Sequence, residues 1–110
     1  MGSFVKGDVV VLPFPFSDLS GVKRRPALVI TQLSGDDVIL CQITSQARSD
    51  SYSVPLSTYD FLSGSLKRDS NIRPNRVFTA DSSIVLRSVG RLSSKKIKEV
   101  IEKLIEIISV

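Results

Sequence analysis

The sequence contains no histidine, which removes the side chain that most often acts as a general base near neutral pH and the commonest metal ligand. It contains one cysteine, Cys41, which can neither form a disulfide within the chain nor supply a zinc cluster. These absences predict a protein without a metal site or a cofactor, in a reducing compartment. Because Cys41 lies in the apolar run Val38–Ile43, we interpret it as a small buried hydrophobe rather than as a nucleophile.

Long hydrophobic runs are absent as well. The apolar stretch Val9–Leu12 stops at Pro13 and is too short for the core of a signal peptide. Apolar positions near the C-terminus are interleaved with lysine and glutamate, which excludes a membrane span there. We therefore expect a cytoplasmic protein that makes no contact with a membrane.

The length and charge of the chain limit its organisation and its partners. The 110 residues fit a single domain, 1–110, and chains of this size bury roughly 60–70% of the surface that they expose when unfolded. Lysine and arginine number 15 against 11 aspartate and glutamate, a formal charge of +4. This excess favours an anionic partner such as nucleic acid.

Short apolar runs rich in β-branched residues, separated by proline, glycine and polar residues, predict a mainly β chain. The second and third runs are so uniformly apolar that they should be buried on both faces or closed into a barrel. Residues 13–25 and 57–71 are predicted as loops, the latter with a helical turn, and prolines are expected to interrupt strands at Pro13 and Pro74. The predicted strands are Gly7–Leu12, Pro26–Gln32, Val38–Thr44, Tyr52–Leu56, Ile72–Ala80 and Ser83–Val89.

The C-terminal segment predicts an amphipathic helix, because apolar residues recur at helical spacing from Ile97 onward while lysine and glutamate hold the other face. Ser93 is its predicted N-cap, with Leu92 packing against Ile97. A charge pair between Glu99 and Lys103 is also expected. Several short strands followed by one helix indicate a small β-barrel with a helical cover.

Most of the cations outside this helix form four clusters, each at a predicted loop or at a strand end that proline marks. If a barrel gathers these ends on one rim, the loops form a basic patch suited to a phosphate backbone. Arginine suits such a patch because its planar fork stays charged and binds phosphate oxygens bidentately. The clusters are Lys23-Arg24-Arg25, Arg48, Lys67-Arg68, and Arg73 with Arg76.

Cleavage of RNA at such a patch would need an acceptor for the 2′-hydroxyl proton, which a guanidinium with a pKa above about 12 supplies poorly. The candidates are Asp18, Asp81 and an activated water. Phe14 and Phe16 could stack on bases or pack in the core, and the sequence leaves both open. None of the motifs GxGxxG, GxxxxGK[ST], GxSxG, HExxH and CxxC is present.

Five stretches of the chain follow one family pattern in order. They are Lys6–Val10, Arg25–Ile30, Ile43–Ser45, Ser70–Asp81 and Val89–Leu92. With them the chain resembles, over nearly its whole length, the MazF/PemK toxins of toxin–antitoxin systems. The pairing of G-D-V with R-P-x-L-V-I at this spacing is the most specific part of the resemblance.

The resemblance implies an SH3-like β-barrel with a C-terminal helix that forms a homodimer. It also implies a metal-independent, sequence-specific endoribonuclease that cleaves mRNA, halts translation and is neutralised by a cognate antitoxin covering the RNA groove. Catalytic roles carry over to Arg25, Thr44, Arg73 and Asn75, and we expect the first three to share one groove. The residues expected to bind single-stranded RNA are Lys23, Arg24, Ser45, Arg48, Lys67, Arg68 and Arg76.

Two positions depart from the family pattern. Some members carry a carboxylate where Asn75 stands, and because an amide cannot act as the base, Asn75 could only position substrate. Other members carry glutamate or histidine in the first loop, where this chain has Asp18–Lys23. The proton acceptor is therefore left open.

Two other functions are compatible with the same pattern. One is a non-catalytic toxin that binds a protein such as DNA gyrase, like the CcdB toxins, which this chain resembles less because it has the R-P motif. The other is a barrel that binds nucleic acid without cleaving it.

Overall fold

The computed structural model describes residues 3–14, 23–46 and 50–110, and these residues form seven strands and one α-helix. Two 3₁₀ turns, Thr58–Asp60 and Ser82–Ile84, lie between strands. The elements are β1 (Asp8–Phe14), β2 (Lys23–Gln32), β3 (Asp37–Thr44), β4 (Val54–Leu56), β5 (Phe61–Gly64), β6 (Ser70–Asp81), β7 (Arg87–Leu92) and α1 (Ser94–Ile108).

All seven strands belong to one antiparallel sheet in the order β4-β6-β3-β2-β1-β7-β5. The pairing shifts register in four of its six ladders, and such irregularities increase the local twist of a sheet. The sheet therefore curls into a half-barrel, and α1 follows it in the chain. The predicted class, a mainly β fold with a small barrel-like sheet and a C-terminal helix, is confirmed.

The central strands β1, β2 and β3 are buried on both faces, as their uniform apolar runs predicted. One face packs against α1 and the outer strands, and the other packs against Phe4, Phe78 and Val85. The first cluster contains Val9, Leu28, Ile30, Cys41, Ile43, Val54, Leu56, Ile72, Leu92 and Val100. The second contains Val10, Leu12, Phe14, Ala27, Val29, Val38 and Leu40.

The helix begins where the sequence predicted. The Ser93 hydroxyl accepts a hydrogen bond from the backbone N–H of Lys96 at 3.3 Å, which caps the first turn. The predicted apolar stripe is only partly buried, because Ile105 and Ile108 are 54% and 71% exposed. The predicted charge pair between Glu99 and Lys103 is wrong. Lys96 pairs with Glu99 at 2.9 Å, and Lys103 pairs with Glu106 at 3.2 Å.

Pro13 does not end the first strand, and Pro26 does not begin the second. β1 continues to Phe14, and Pro13 pairs with Arg24 of β2. The β7 side of β1 pairs only as far as Val11, so the missing N–H of Pro13 breaks no hydrogen bond to β7. The basic run of residues 23–25, predicted as loop, is therefore strand.

The second half of the sheet departs further from the predicted boundaries. The sequence predicted a loop where the four-residue strand β5 lies. It also predicted that the strand corresponding to β7 begins at Ser83, where the structure has a 3₁₀ turn instead. The interruption expected at Pro74 takes the form of a bulge. Neighbouring residues Cys41 and Gln42 of β3 pair with Val77 and Arg73, which leaves residues 74–76 unpaired with β3.

Gly64 permits a close approach between β5 and β7. Its φ is +73°, and a Cβ atom there would overlap the carbonyl oxygen of Val89. Gly35 offers a control, since its φ is +81° but no heavy atom of the described residues lies within 4 Å of the position that a Cβ atom would take there.

We therefore expect Gly64→Ala to lower the free energy of unfolding more than Gly35→Ala does. Gly35→Ala should cost about 1–2 kcal/mol for the left-handed backbone alone. Gly64→Ala should cost about 1–3 kcal/mol beyond that, because backbone atoms must move apart. Urea unfolding of the two variants measures the difference, and equal losses would contradict the close approach.

Burial sets the chemistry of Cys41. The residue is 0% exposed, and desolvation raises the pKa of its thiol to about 12, so the thiolate is scarce at neutral pH. We expect no reaction with a disulfide reagent such as DTNB over minutes in the folded protein, and rapid release of one equivalent of thionitrobenzoate in guanidinium. Rapid labelling of the native protein would contradict the packing.

Candidate nucleic-acid interface

Two arginines, Arg24 and Arg25, stand at the start of β2 within a hydrogen-bonded ladder. Arg25 pairs with Leu12, and the following Pro26 pairs with Val11. Proline fixes its own φ and restricts the residue before it to extended backbone. The backbone of Arg25 is thus held by the sheet and by its neighbour, as the R-P motif suggested.

Thr44 ends β3 close to these arginines. The pairing between β2 and β3 ends with Ala27 opposite Gln42, and the same register continued by two residues would place Arg25 opposite Thr44. Thr44 is 3% exposed, and its Oγ1 accepts a hydrogen bond from the backbone N–H of Gln46 at 3.2 Å. A hydroxyl that accepts in this way keeps its hydrogen for donation to another group.

A groove of about 510 Å³ opens where β2 begins and β3 ends, and it includes both Arg25 and Thr44. Of the described residues that line it, five are cationic and none is acidic. The predicted site residues that it brings together are Arg24, Arg25, Thr44, Ser45, Lys67 and Arg68. The other described residues that line it are Val11, Pro26, Ile43, Ser65, Leu66, Ser70, Arg87 and Val89.

Arg87 is a groove residue that the sequence analysis missed. Val11 of β1 pairs with Pro26 of β2 on one side and with Arg87 of β7 on the other. Because β7 lies beside β1 in the sheet, Arg87 is brought close to the start of β2 and lines the groove. The available signal was a lone cation among uncharged residues, but it lay inside a predicted strand instead of at a proline-marked end. Strand order, which the sequence did not indicate, decides its place.

The guanidinium of Arg25 carries an unmet hydrogen-bonding group. Its Nε is buried and has no hydrogen-bond partner in the described part of the chain. A buried donor without an acceptor costs stability, and more when it belongs to a charged group. An anionic oxygen in the groove would satisfy it, because guanidinium groups bind phosphate and carboxylate oxygens in pairs.

Several predicted residues do not line this groove, and Arg73 is the most important of them. It is 8% exposed, and its Nη2 lies 3.7 Å from Asp50 Oδ2. The expectation that it shares a groove with Arg25 and Thr44 is not met, because it pairs with Gln42, two residues back along β3. Lys23 and Asn75 are exposed outside the groove, and Arg48 lies outside the described residues.

Arg76 borders a different, smaller hollow of about 160 Å³, together with Phe14, Gln42, Val77 and Phe78. Phe14 is 2% exposed, and its ring packs edge to face against Phe78 with centroids 5.1 Å apart. Of the two readings that the sequence left open for Phe14, the structure therefore favours core packing. Phe16 lies outside the described residues.

Asp81, one of the candidate proton acceptors, is not among the described residues that line the groove. Asp81 pairs with Asp37, whereas Thr44 pairs with Asn71, so Asp81 lies seven residues along the same ladder, about 23 Å away at about 3.3 Å per residue. The N–H of Ser83 holds the pKa of Asp81 below its ordinary value, as expected for a turn residue. Asp18 lies outside the described residues.

Within residues 3–14, 23–46 and 50–110, no three or more His, Cys, Asp or Glu side chains come close enough together to hold a metal ion. No helix in that same part of the chain combines the length and apolar character needed to cross a membrane.

These features define a class of protein: a curled β half-barrel with a C-terminal helix and a basic groove at one end of its sheet. The family model of the PemK-like, MazF-like toxins of type II toxin–antitoxin systems matches residues 5–108. The chain belongs to this family, which confirms the resemblance seen in the sequence. No curated protein matches the sequence.

Solved toxin structures share the fold. MazF from Deinococcus radiodurans is 20% identical, with a TM-score of 0.78 and 100% of both chains covered. A MazE–MazF complex from the same organism is 22% identical, with a TM-score of 0.77, covering 100% of this chain and 99% of that one. An endoribonuclease from a mycobacterial species, in complex with its cognate antitoxin, is 14% identical, with a TM-score of 0.76, covering 98% and 97%. Likeness at these identities concerns the fold.

Proposed function

We propose that this protein is a metal-independent, sequence-specific endoribonuclease that cleaves mRNA and thereby inhibits translation. The observation that carries the proposal is the groove, with five cations and no acid among its described lining residues. Arg25 adds a buried Nε–H that lacks an acceptor. A single-stranded polyanion supplies negative charge along the groove and an oxygen for this donor.

The groups in the groove suit cleavage by the neighbouring 2′-oxygen of the RNA. That oxygen attacks phosphorus, the bond from phosphorus to the 5′-oxygen breaks, and a 2′,3′-cyclic phosphate and a 5′-hydroxyl result. Arg25 donates to the nonbridging oxygens as the phosphorane becomes dianionic, and one such preorganised donor is worth about 10²–10³ in rate. Thr44 keeps its hydroxyl hydrogen for the same phosphate.

The proton leaves the 2′-hydroxyl and returns to the 5′-oxygen by way of an acceptor. Asp18 and an activated water are the two candidates, because the described lining of the groove contains no carboxylate. Arg73 and Asn75 enter the proposal through the family resemblance alone. Arg24, Ser45, Lys67 and Arg68 would hold flanking phosphates or sugars.

The proposal also includes a cognate antitoxin that covers the groove. Membership of a toxin–antitoxin family supports it, as does the fold shared with a mycobacterial endoribonuclease in complex with its antitoxin. An acidic or extended antitoxin segment would satisfy the groove cations as RNA does. A homodimer belongs to the same proposal on the strength of the resemblance.

Incubation of the purified protein with a long RNA in EDTA tests the function. We expect cleavage at a short fixed sequence, with 5′-hydroxyl ends located by primer extension. Inhibition of DNA gyrase without cleavage would support the CcdB-like alternative instead. Binding without cleavage would leave a nucleic-acid-binding barrel.

Arg25→Ala is expected to lower the cleavage rate by about 10²–10³, because the buried donor to the phosphorane is lost. Arg25→Lys should recover part of the rate, since an ammonium keeps the charge but not the planar fork. Lys98→Ala, at an exposed position on α1, should cleave at the wild-type rate. The unfolding midpoint of each variant in urea shows whether it is folded. Cleavage at the wild-type rate by Arg25→Ala would contradict the assignment.

RNA affinity should fall steeply with salt, because phosphate contacts release bound counterions. If all five groove cations contact phosphates, the plot of log K against log salt has a slope of about −3.5 for a single strand. Arg87→Ala should make that slope shallower by about 0.7, and Lys98→Ala should not change it. A flat response, or a wild-type slope for Arg87→Ala, would argue against the groove as the RNA site.

A further inference from the structure

The connection between β3 and β4 starts at the groove, where Ser45 lines the wall, and its described ends are both tied to β6. At the near end, the side-chain amide of Asn71 donates a hydrogen bond to the carbonyl oxygen of Gln46 at 3.3 Å. At the far end, Arg73 faces Asp50 across 3.7 Å. Asn71 and Arg73 are two residues apart on one strand, so their side chains leave the same face.

Asp50 holds a charge at a fixed place. Its Oδ1 accepts hydrogen bonds from the backbone N–H groups of Tyr52 and Ser53, each at 2.9 Å, and from the Ser53 hydroxyl at 3.1 Å. The N–H groups of Tyr52 and Ser53, with a smaller contribution from Arg73, hold the pKa of Asp50 below its ordinary value. Its Oδ1 thus shapes the turn that leads into β4, while Oδ2 faces Arg73.

Arg73 is far less accessible to a polyanion than the groove cations. Its side chain is 9% exposed, and the carboxylate that it faces, Asp50, is 30% exposed. An RNA phosphate would have to displace an anion that the chain itself supplies. A guanidinium in this position is better suited to holding the connection than to binding substrate.

Thr44 depends on the near end of the connection. Its Oγ1 accepts the N–H of Gln46, and the carbonyl of Gln46 in turn accepts from Asn71. These bonds set the rotation of the Thr44 side chain and so the direction in which its hydroxyl hydrogen points. A shift of Gln46 would therefore turn this hydroxyl.

We propose that Asp50 is a positioning residue, which acts through Arg73 to hold the described ends of the β3–β4 connection and thereby the Thr44 hydroxyl against the scissile phosphate. The inference rests on the proposed ribonuclease function. It gives Arg73 a positioning role in place of the phosphate contact that the family resemblance implies.

Asp50→Asn tests the pair, because the amide oxygen can still accept from Tyr52 and Ser53 while an NH₂ group replaces the oxygen that faces Arg73. We expect kcat to fall about 10-fold, within the loss of up to about 100-fold that misplacement can cause, with KM and the salt slope unchanged. The backbone amide of Gln46 should exchange its hydrogen faster. The matched control is Asp81→Asn, since Asp81 also caps a turn, accepting from the N–H of Ser83 at 2.9 Å.

The second arm combines Asp50→Asn with Arg73→Gln. If the two residues act as one unit, each single variant loses a similar factor in kcat, and the double variant loses no more than either. Arg73→Lys keeps the charge in the buried position and should therefore cleave at most of the wild-type rate. This variant also tests the pair if Arg73→Gln is poorly folded. A salt slope made shallower by about 0.7 in Arg73→Gln would reveal a direct phosphate contact and overturn the proposal.

Two further outcomes would also overturn it: a wild-type kcat in Asp50→Asn, or tighter RNA binding by that variant, as expected if Asp50 merely competed with phosphate. Failure of the proposed function can be distinguished from failure of this inference, because in that case the wild-type protein itself would not cleave RNA. The exchange rate of the Gln46 amide would still test the positioning contact in that case. If the hydrogen-exchange rate of the Gln46 amide were unchanged in Asp50→Asn, the inference would be wrong.

Discussion

Burial of the three central strands on both faces is the constraint on which the rest of the structure depends. Adjacent residues of β1, such as Val9 and Val10, belong to different core clusters, so each face needs its own cover. Helix α1 and the outer strands cover one face, and the curl of the sheet brings Phe78 and Val85 over the other. Charged side chains can then leave the central strands only near their ends, where the groove lies.

Burial of the central strands also makes the groove rigid. Arg25 stands in a ladder, and the residues of β2 from Ala27 to Ile30 are buried, so its backbone has little freedom to follow a ligand. A buried Nε–H without an acceptor lowers the stability of the free protein, yet a donor already in place needs no reorganisation when an anion arrives. The same geometry thus lowers local stability and holds a donor ready for an anionic ligand.

The elements that the sequence predicted well are those whose signals are local. The periodicity and Ser93 cap of α1 and the burial of Cys41 follow from neighbouring residues. Predictions failed where a partner strand decides the outcome. The strand β5 is only four residues long and pairs with β7. Pro13 stays in β1 because the pairing of β1 with β7 stops at Val11, so no backbone N–H is needed on that side of Pro13.

For the candidate site, the sequence by itself determined which residue types are available: many cations, no histidine, and an R-P motif that leads from the basic run into a buried strand. Only the tertiary structure decided which of them meet. Strand order brings Arg87 to the groove, while the register between β3 and β6 carries Arg73 to Asp50. The physical reason is that sheet pairing joins residues far apart in the chain, and a shift of one residue changes the face to which every side chain points.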